Sequence, residues 1–381
     1  MNRPEGSLIS YFSNRVKKEG GINLAQGTPG FPPPPPLLTL LKKIAGDKPL
    51  HQYPPGIGDF DLLELIRQKY SSVASPAPLS LDNLLVVQGA TEGIFLTFFY
   101  LTTFLERPFS ALSFDPVYES YPQLADMFRV PFEYMDFIEK AGVLSVDFDR
   151  LEKTILEKKV KIVFIASPGN PLGKIWDREE LTQLVSLSRA YGFYILFDAV
   201  YKDIYFAEPP FNPLALNHEK LFYIDSFSKT LSITGWRVGY IIAAAEPMKK
   251  IRGIHDYTGL CAPSILQAAI ARYLSDFNFG QEYIATVKKK CKNSYAYMKK
   301  AMIQLGFDVK ESRGGYFLWA KLPPPRTDAF TFALALYSSS QVAVVPGENF
   351  SRTKTDYIRV NIGTGLPIIR EAVLRIKGFF I

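Results

Sequence analysis

KIVFIASPGNPLGKIWDREELTQLVSLSRAYGFYILFDAV, residues 161–200, decides the fold. KIVFIAS (161–167) and FYILFDA (193–199) are short apolar runs rich in β-formers. DREELTQLVSLSRAYG (177–192) between them has an acidic start, helical apolar spacing and a closing glycine. That is a capped helix joining two buried strands, and a strand-helix-strand unit of this length implies parallel pairing. The pattern extends both ways. LLVVQGA (84–90), SALSFD (110–115), LFYIDSF (221–227) and VGYIIAA (238–244) read as further strands, the first followed by a helix opening at Thr91. Strands of Val, Ile, Leu and Phe alternating with helices predict a mostly parallel sheet covered by helices on both faces.

Beyond this block the chain changes character. FPPPPP (31–36) reads as a rigid extended crossing, because proline lacks a donor and favours polyproline II. Residues 265–305 read as helical, and VKESRGGYFLWAKL (309–322), QVAVVPG (341–347) and YIRVNIG (357–363) as strands of an α+β unit. The expected organisation is an α/β protein with an N-terminal arm (1–45), a large domain (46–265) and a smaller α+β domain (266–381) on which the arm packs.

Composition narrows the function classes. The chain has 381 residues, 47% apolar and 21% charged, so it can bury a large core and is not generally disordered. Its net charge of +7 suits nucleic acid, a membrane surface or anionic small molecules and selects none of them. The sharpest basic run, Lys288, Lys289, Lys290 and Lys292 with Lys299 and Lys300, has helical surroundings and reads as a solvated helix face. Cys261 and Cys291 cannot make a disulfide framework and fit a reducing compartment. The N-terminus has no apolar signal core. The longest apolar stretch, Ile94 to Leu105, is too short for a bilayer. A cytoplasmic protein with no membrane or nucleic-acid partner is expected. His51, His218 and His255 have no local partners at ligand spacing, so a metal site is not expected.

In a doubly wound sheet the chemistry gathers at the carboxyl ends of the strands. Those ends carry Gly89-Ala90-Thr91, Asp115-Pro116-Val117-Tyr118, Ser167 to Gly173, Asp198-Ala199-Val200-Tyr201 and Ser226-Phe227-Ser228-Lys229. GATEG (89–93) can offer open amides to an anion at a helix N-terminus, or simply cap the helix through Thr91. Lys229 follows a strand, with hydroxyls at 226 and 228 and Arg237 beyond; taken singly it could be a surface lysine, but that does not explain the whole string.

SFSKTLSITGWRVGY (226–240) resembles the signature of the class I/II pyridoxal-phosphate aminotransferases of fold type I, and the other strand ends match in order. The resemblance spans Gln26-Gly27 to Arg359. It implies pyridoxal 5′-phosphate as cofactor, with Lys229 forming a Schiff base to it and moving the proton of transamination. Asp198 would pair with the pyridine nitrogen, Tyr201 and Asn170 would bond the 3-oxygen, and Tyr118 would stack on the ring. Gly89, Ala90, Thr91, Ser226, Ser228 and Arg237 would hold the phosphate, joined by Tyr53 of the neighbouring subunit in a homodimer. Arg359, Asn170 and the Gly27 backbone would bind the substrate carboxylate.

The implied reaction is ping-pong transfer between an amino acid and a 2-oxo acid. A lyase or decarboxylase is the alternative on the same fold, and a non-enzymatic regulatory domain a remote one. Tyr257 stands where dicarboxylate-preferring relatives can place an arginine. The GWR form of the lysine motif is similar to the aromatic, kynurenine and methionine aminotransferase subgroup, and Tyr11, Phe12, Phe31 and Tyr53 could line an apolar side-chain pocket. An aromatic or large apolar donor is therefore expected.

Overall fold

The computed structural model describes residues 3–73, 78–140 and 142–381. Seven strands form the main sheet: β1 (Leu84–Val87), β2 (Ser110–Asp115), β3 (Phe132–Asp136), β4 (Val160–Ala166), β5 (Tyr194–Asp198), β6 (Leu221–Ser226) and β7 (Gly239–Ile242). Their order is β1-β7-β6-β5-β4-β2-β3, parallel except for β7, which runs against both neighbours. Residues 162–165 of β4 are at most 1% exposed. Burying each such side chain stabilises the fold by about 1.5–3 kcal/mol, which is why this strand shows no polar alternation. Register brings the chemistry level: Ala166 pairs with Asp198, Asp198 with Ile224, and Ser226 with Gly239.

Seven helices matter for the site and its frame: α1 (Leu8–Glu19), α2 (Pro35–Ile44), α3 (Ala90–Phe104), α4 (Ser120–Met127), α5 (Arg178–Tyr191), α6 (Ser264–Asp276) and α7 (Gln281–Gln304). The α5 boundaries follow from its sequence. Asp177 and Glu180 form a reciprocal capping box, and Gly192 ends the helix in the left-handed conformation at φ 74°. Two sequence expectations shift. The helical stretch 265–305 is two helices, because Phe279 and Gly280 take positive φ (55° and 70°) and break the turn between α6 and α7. The polyproline segment gives up its last two residues to α2, since first-turn positions need no amide donor.

The smaller unit has a four-stranded antiparallel sheet, in the order β8 (Asp308–Val309), β9 (Phe317–Lys321), β11 (Tyr357–Asn361), β10 (Val345–Pro346). The arm belongs with it: Ile22–Asn23 pairs in parallel with Val342–Ala343, and Leu8 and Phe12 of α1 are buried in its core. The limits at 45/46 and 265/266 do not match the packing. Leu37 and Ile44 of α2 and Ala268, Ala269, Ile270, Ala271, Tyr273 and Leu274 of α6 lie in the large unit's core, where these two helices pack together. In the lysine run Lys289, Lys290, Lys292 and Lys300 are exposed, as a solvated helix face requires, while Lys288 and Lys299 are half-buried, the Lys288 ammonium 3.7 Å from the Tyr205 ring centre.

Candidate active site

A cavity of about 460 Å³ lies at the carboxyl edge of the parallel strands, with the N-terminal arm over it. It gathers Gly27, Ala90, Thr91, Tyr118, Asn170, Asp198, Tyr201, Ser226, Ser228, Lys229, Arg237 and Arg359 from segments more than 300 residues apart. Gly89 adjoins it as the N-cap of α3 at φ 84°, where a Cβ would fall 2.4 Å from the Arg237 guanidinium. Thr91 is not the cap, and no side chain caps α3. Its first-turn amides therefore face the cavity end without a side-chain acceptor, the arrangement that attracts an anion.

Arg237 and two serines complete this end. Arg237 donates to the Thr234 and Gln88 carbonyls at 2.9 and 3.0 Å, which fixes its fork beside α3. Ser226 Oγ accepts from the Ser228 amide at 3.1 Å and lies 2.8 Å from Ser228 Oγ. Hydroxyls, amides and a guanidinium thus converge on one point, a donor set suited to phosphate.

At the floor, Lys229 follows β6 on a single helical turn and donates from Nζ to the Gly27 carbonyl at 2.6 Å. Burial, with Arg359 and Arg237 nearby, lowers its pKa to about 8, against the usual value near 10.5. The amine is held next to neutral without a carboxylate partner. Asp198, at the end of β5, accepts from the Tyr121 hydroxyl at 2.7 Å and from the Val200 amide at 3.1 Å. Burial raises its pKa to about 6, so it is mostly ionised at pH 7. Burial also pushes the Tyr201 and Tyr118 phenols up, keeping both protonated as donors.

Arg359 holds the opposite wall. It is 1% exposed, with its guanidinium 4.1 Å from the Phe317 ring centre and 4.6 Å from that of Phe350. Nη1 donates to Asn170 Oδ1 at 3.0 Å and Nη2 to the Ala25 carbonyl, while Nε has no partner. Burial lowers its pKa to about 10. A buried cation without an anion is costly, so this one is set to receive a carboxylate.

Tyr53 is 82% exposed and, like Tyr257 at 94%, stands outside this chain's own cavity, so it lines no side-chain pocket here, while a reach to a neighbouring subunit needs such exposure. Gly27 lines the cavity and its carbonyl accepts from Lys229. Tyr11, Phe12 and Phe31 do not line the cavity: Phe12 and Phe31 point into the smaller core, and Tyr11 packs edge-on against Phe12 at 5.2 Å. The opposite face of the α1 turn supplies Ser7, Ile9 and Ser10 instead. Sequence reading also missed Gln26, Thr28, Glu119 and Tyr121. Only Tyr121 carries a signal, its place one helical turn after Tyr118.

Residues 19–376 match the family model for aminotransferase class I and II, and the chain belongs to that family. It is an aminotransferase, and pyridoxal phosphate is the cofactor of that class. Among its relatives are the aspartate aminotransferase of Thermotoga maritima, 29% identical over 95% of this chain and 92% of that protein, and the aromatic-amino-acid aminotransferase 2 of Thermococcus litoralis, 25% identical over 94% and 91%. The N-succinyldiaminopimelate aminotransferase structure from Mycobacterium tuberculosis superposes with a TM-score of 0.89 at 23% identity, covering 98% of this chain and 97% of that one. These names span different donors, so kinship does not single out the aromatic subgroup. The residues present fit the cofactor: an amine that gives up its proton more readily than an ordinary lysine, a buried carboxylate in the same cavity, and an anion cradle that any side chain at position 89 would crowd.

Proposed function

We propose that this chain transfers the amino group of an aromatic or large apolar L-amino acid to a 2-oxo acid. The observation that carries the reading is the pairing, across one cavity, of the depressed Lys229 amine with the anion-seeking Arg359. When bound, pyridoxal phosphate supplies a carbonyl carbon for the amine and a ring that takes up the electrons left on the donor's α-carbon. Ser226, Ser228, Arg237 and the Ala90 and Thr91 amides hold the phosphate. Asp198 holds the ring nitrogen protonated, Tyr118 covers one ring face, and Tyr201 and Asn170 donate to the ring oxygen. Arg359 fixes the donor carboxylate, which places the α-hydrogen within reach of Lys229 Nζ, the base that removes and returns the proton.

Substrate preference follows from the charges left over. The cationic residues of the cavity are Lys229, Arg237 and Arg359, and each already has a role. No described cation remains for a second carboxylate, which favours donors without one. We also propose a homodimer in which exposed Tyr53 reaches the partner's phosphate site, and a cytoplasmic location, supported by two free cysteines and by the lack, among the described residues, of any helix long and apolar enough to cross a membrane. A panel of donors mixed with the holoenzyme, followed by cofactor absorbance, tests the reading. Phenylalanine or methionine should convert the cofactor to its amine form and release a 2-oxo acid. Faster conversion by aspartate would overturn the donor assignment, and release of CO₂ or ammonia without a 2-oxo acid would overturn transamination.

A further inference from the structure

Once the cofactor and carboxylate roles are assigned, the remaining lining includes Ser7, Ile9 and Ser10 of the arm, Gln26, Thr28, and Glu119 beside Tyr118. A donor with its carboxylate on Arg359 and its α-carbon at Lys229 would turn its side chain toward lining of this kind. Glu119 is the one ionisable group on it besides the phenol.

The position of Glu119 is fixed. It stands at the N-cap of α4 and accepts from the Ser7 hydroxyl at 2.7 Å. Ser7 is itself the N-cap of α1, and the Leu8 amide behind it is tied to Asn349 Oδ1 at 2.9 Å. Glu119 joins no described ion pair, and its second oxygen takes no hydrogen bond from the described residues. Glu119 lines the same cavity as Tyr118 and Arg359.

We propose that Glu119, held by Ser7, is the specificity-determining residue for the donor side chain: it rejects side chains ending in a carboxylate and accepts neutral ones, with an added hydrogen bond for those ending in N–H. The proposal rests on the transamination reading for its substrate and extends it to a named residue. A second carboxylate would sit against a fixed anion at a distance where, at the effective dielectric of a partly buried site, like charges cost roughly 10- to 100-fold in affinity. A donor bearing an amide, ammonium or indole N–H would meet an acceptor.

The test compares wild-type and Glu119→Gln holoenzyme, since the amide keeps an acceptor for Ser7 and removes only the charge. Two unreactive carboxylates, maleate and 3-phenylpropanoate, are titrated by cofactor absorbance, and kcat/KM is measured for aspartate and phenylalanine. The variant should shift the maleate to 3-phenylpropanoate affinity ratio, and the aspartate to phenylalanine kcat/KM ratio, by roughly 10- to 100-fold toward the dicarboxylate. Ratios unchanged within about threefold, or moved the other way, overturn the proposal. If the analogue ratio shifts as stated while no donor yields a 2-oxo acid with wild-type enzyme, the transamination reading fails and the role of Glu119 in side-chain selection stands. If neither analogue binds either protein, both fall.

Discussion

Replacing Arg359 with methionine should nearly abolish catalysis without destabilising the fold. Ordinarily, losing interactions of a fully buried large side chain costs about 3 kcal/mol or more. Here the side chain is a cation whose pKa is lowered from the ordinary guanidinium range to about 10, so its charged form is disfavoured by about 3 kcal/mol relative to water. Methionine removes that penalty and keeps an unbranched, polarisable stem between the Phe317 and Phe350 rings. Against this, the Ala25 carbonyl loses its donor in a buried place, at about 1–3 kcal/mol; Asn170 lines the cavity, where water replaces the guanidinium. The balance is about 0 to 2 kcal/mol in favour of the variant, or a rise in Tm of up to about 3 °C for a chain of this size. Because the group is a base with a depressed pKa, the penalty is full below about pH 10 and fades only as pH rises from there toward the ordinary guanidinium range, so the variant's advantage should hold steady at every pH below about 10. The fork to the donor carboxylate is lost for every amino acid, and kcat/KM should fall about 10²- to 10³-fold throughout the panel. Scanning calorimetry of the apoprotein and donor kinetics measure both sides. A fall in Tm of more than about 4 °C, with kcat/KM within tenfold of wild type, would show that Arg359 is a structural cation and refute the reasoning.

Two further outcomes are expected. The rate at which apoenzyme captures pyridoxal phosphate covalently should rise about tenfold per pH unit below pH 8, as Lys229 loses its proton, and level off above it; a rise continuing past pH 9.5 would mean a lysine of ordinary basicity. Co-expressed Tyr53→Ala and Lys229→Ala chains should form mixed dimers that retain cofactor and turn over faster than either parent; activity no greater than the weighted sum of the parents would remove Tyr53 from its partner's site.

The fold and the cofactor end of the site were legible because both are written locally. The α5 helix carries its own start, Asp177 and Glu180, and its own stop, Gly192. Strands β5 and β6 are apolar runs whose last residues are the polar ones, so reading strand ends was enough to find Asp198, Ser226 and Lys229. The errors came where a residue's setting depends on distant chain. Phe277 to Gly280 is an exception, because Asn278 and Gly280, residue types that tolerate positive φ, mark locally where α6 and α7 separate, and a helical reading of 265–305 passes over them. Aromatics near the start of the chain suggested a substrate pocket, yet α1 docks by its Leu8 and Phe12 face onto the smaller core, turning Ser7, Ile9 and Ser10 toward the cavity. Which face docks is set by β10, the strand at 342–343 and Phe330 of the helix at 329–340, hundreds of residues later.

The least legible layer lies directly behind the site. Asp225 is 1% exposed, pairs with Lys202 Nζ at 2.5 Å and accepts from the Tyr240 hydroxyl and, at 2.7 Å, the Ser226 amide. Lys202 also meets Asp203 at 2.9 Å, and Asp203 accepts from the Thr230 hydroxyl at 3.0 Å. Three of its members are chain neighbours of residues that line the cavity: Lys202 of Tyr201, Asp225 of Ser226, Thr230 of Lys229. Strand alternation makes this unavoidable, because when Ser226 points into the cavity Asp225 must point away from it. A lone charge buried there would be expensive, and the interlocked pairs offset most of that cost while fixing three cofactor-facing turns to one another. The sequence shows these residues only as scattered charges inside apolar runs. Their pairing requires the register of β5 against β6 and of β6 against β7, information that exists only once the sheet has formed.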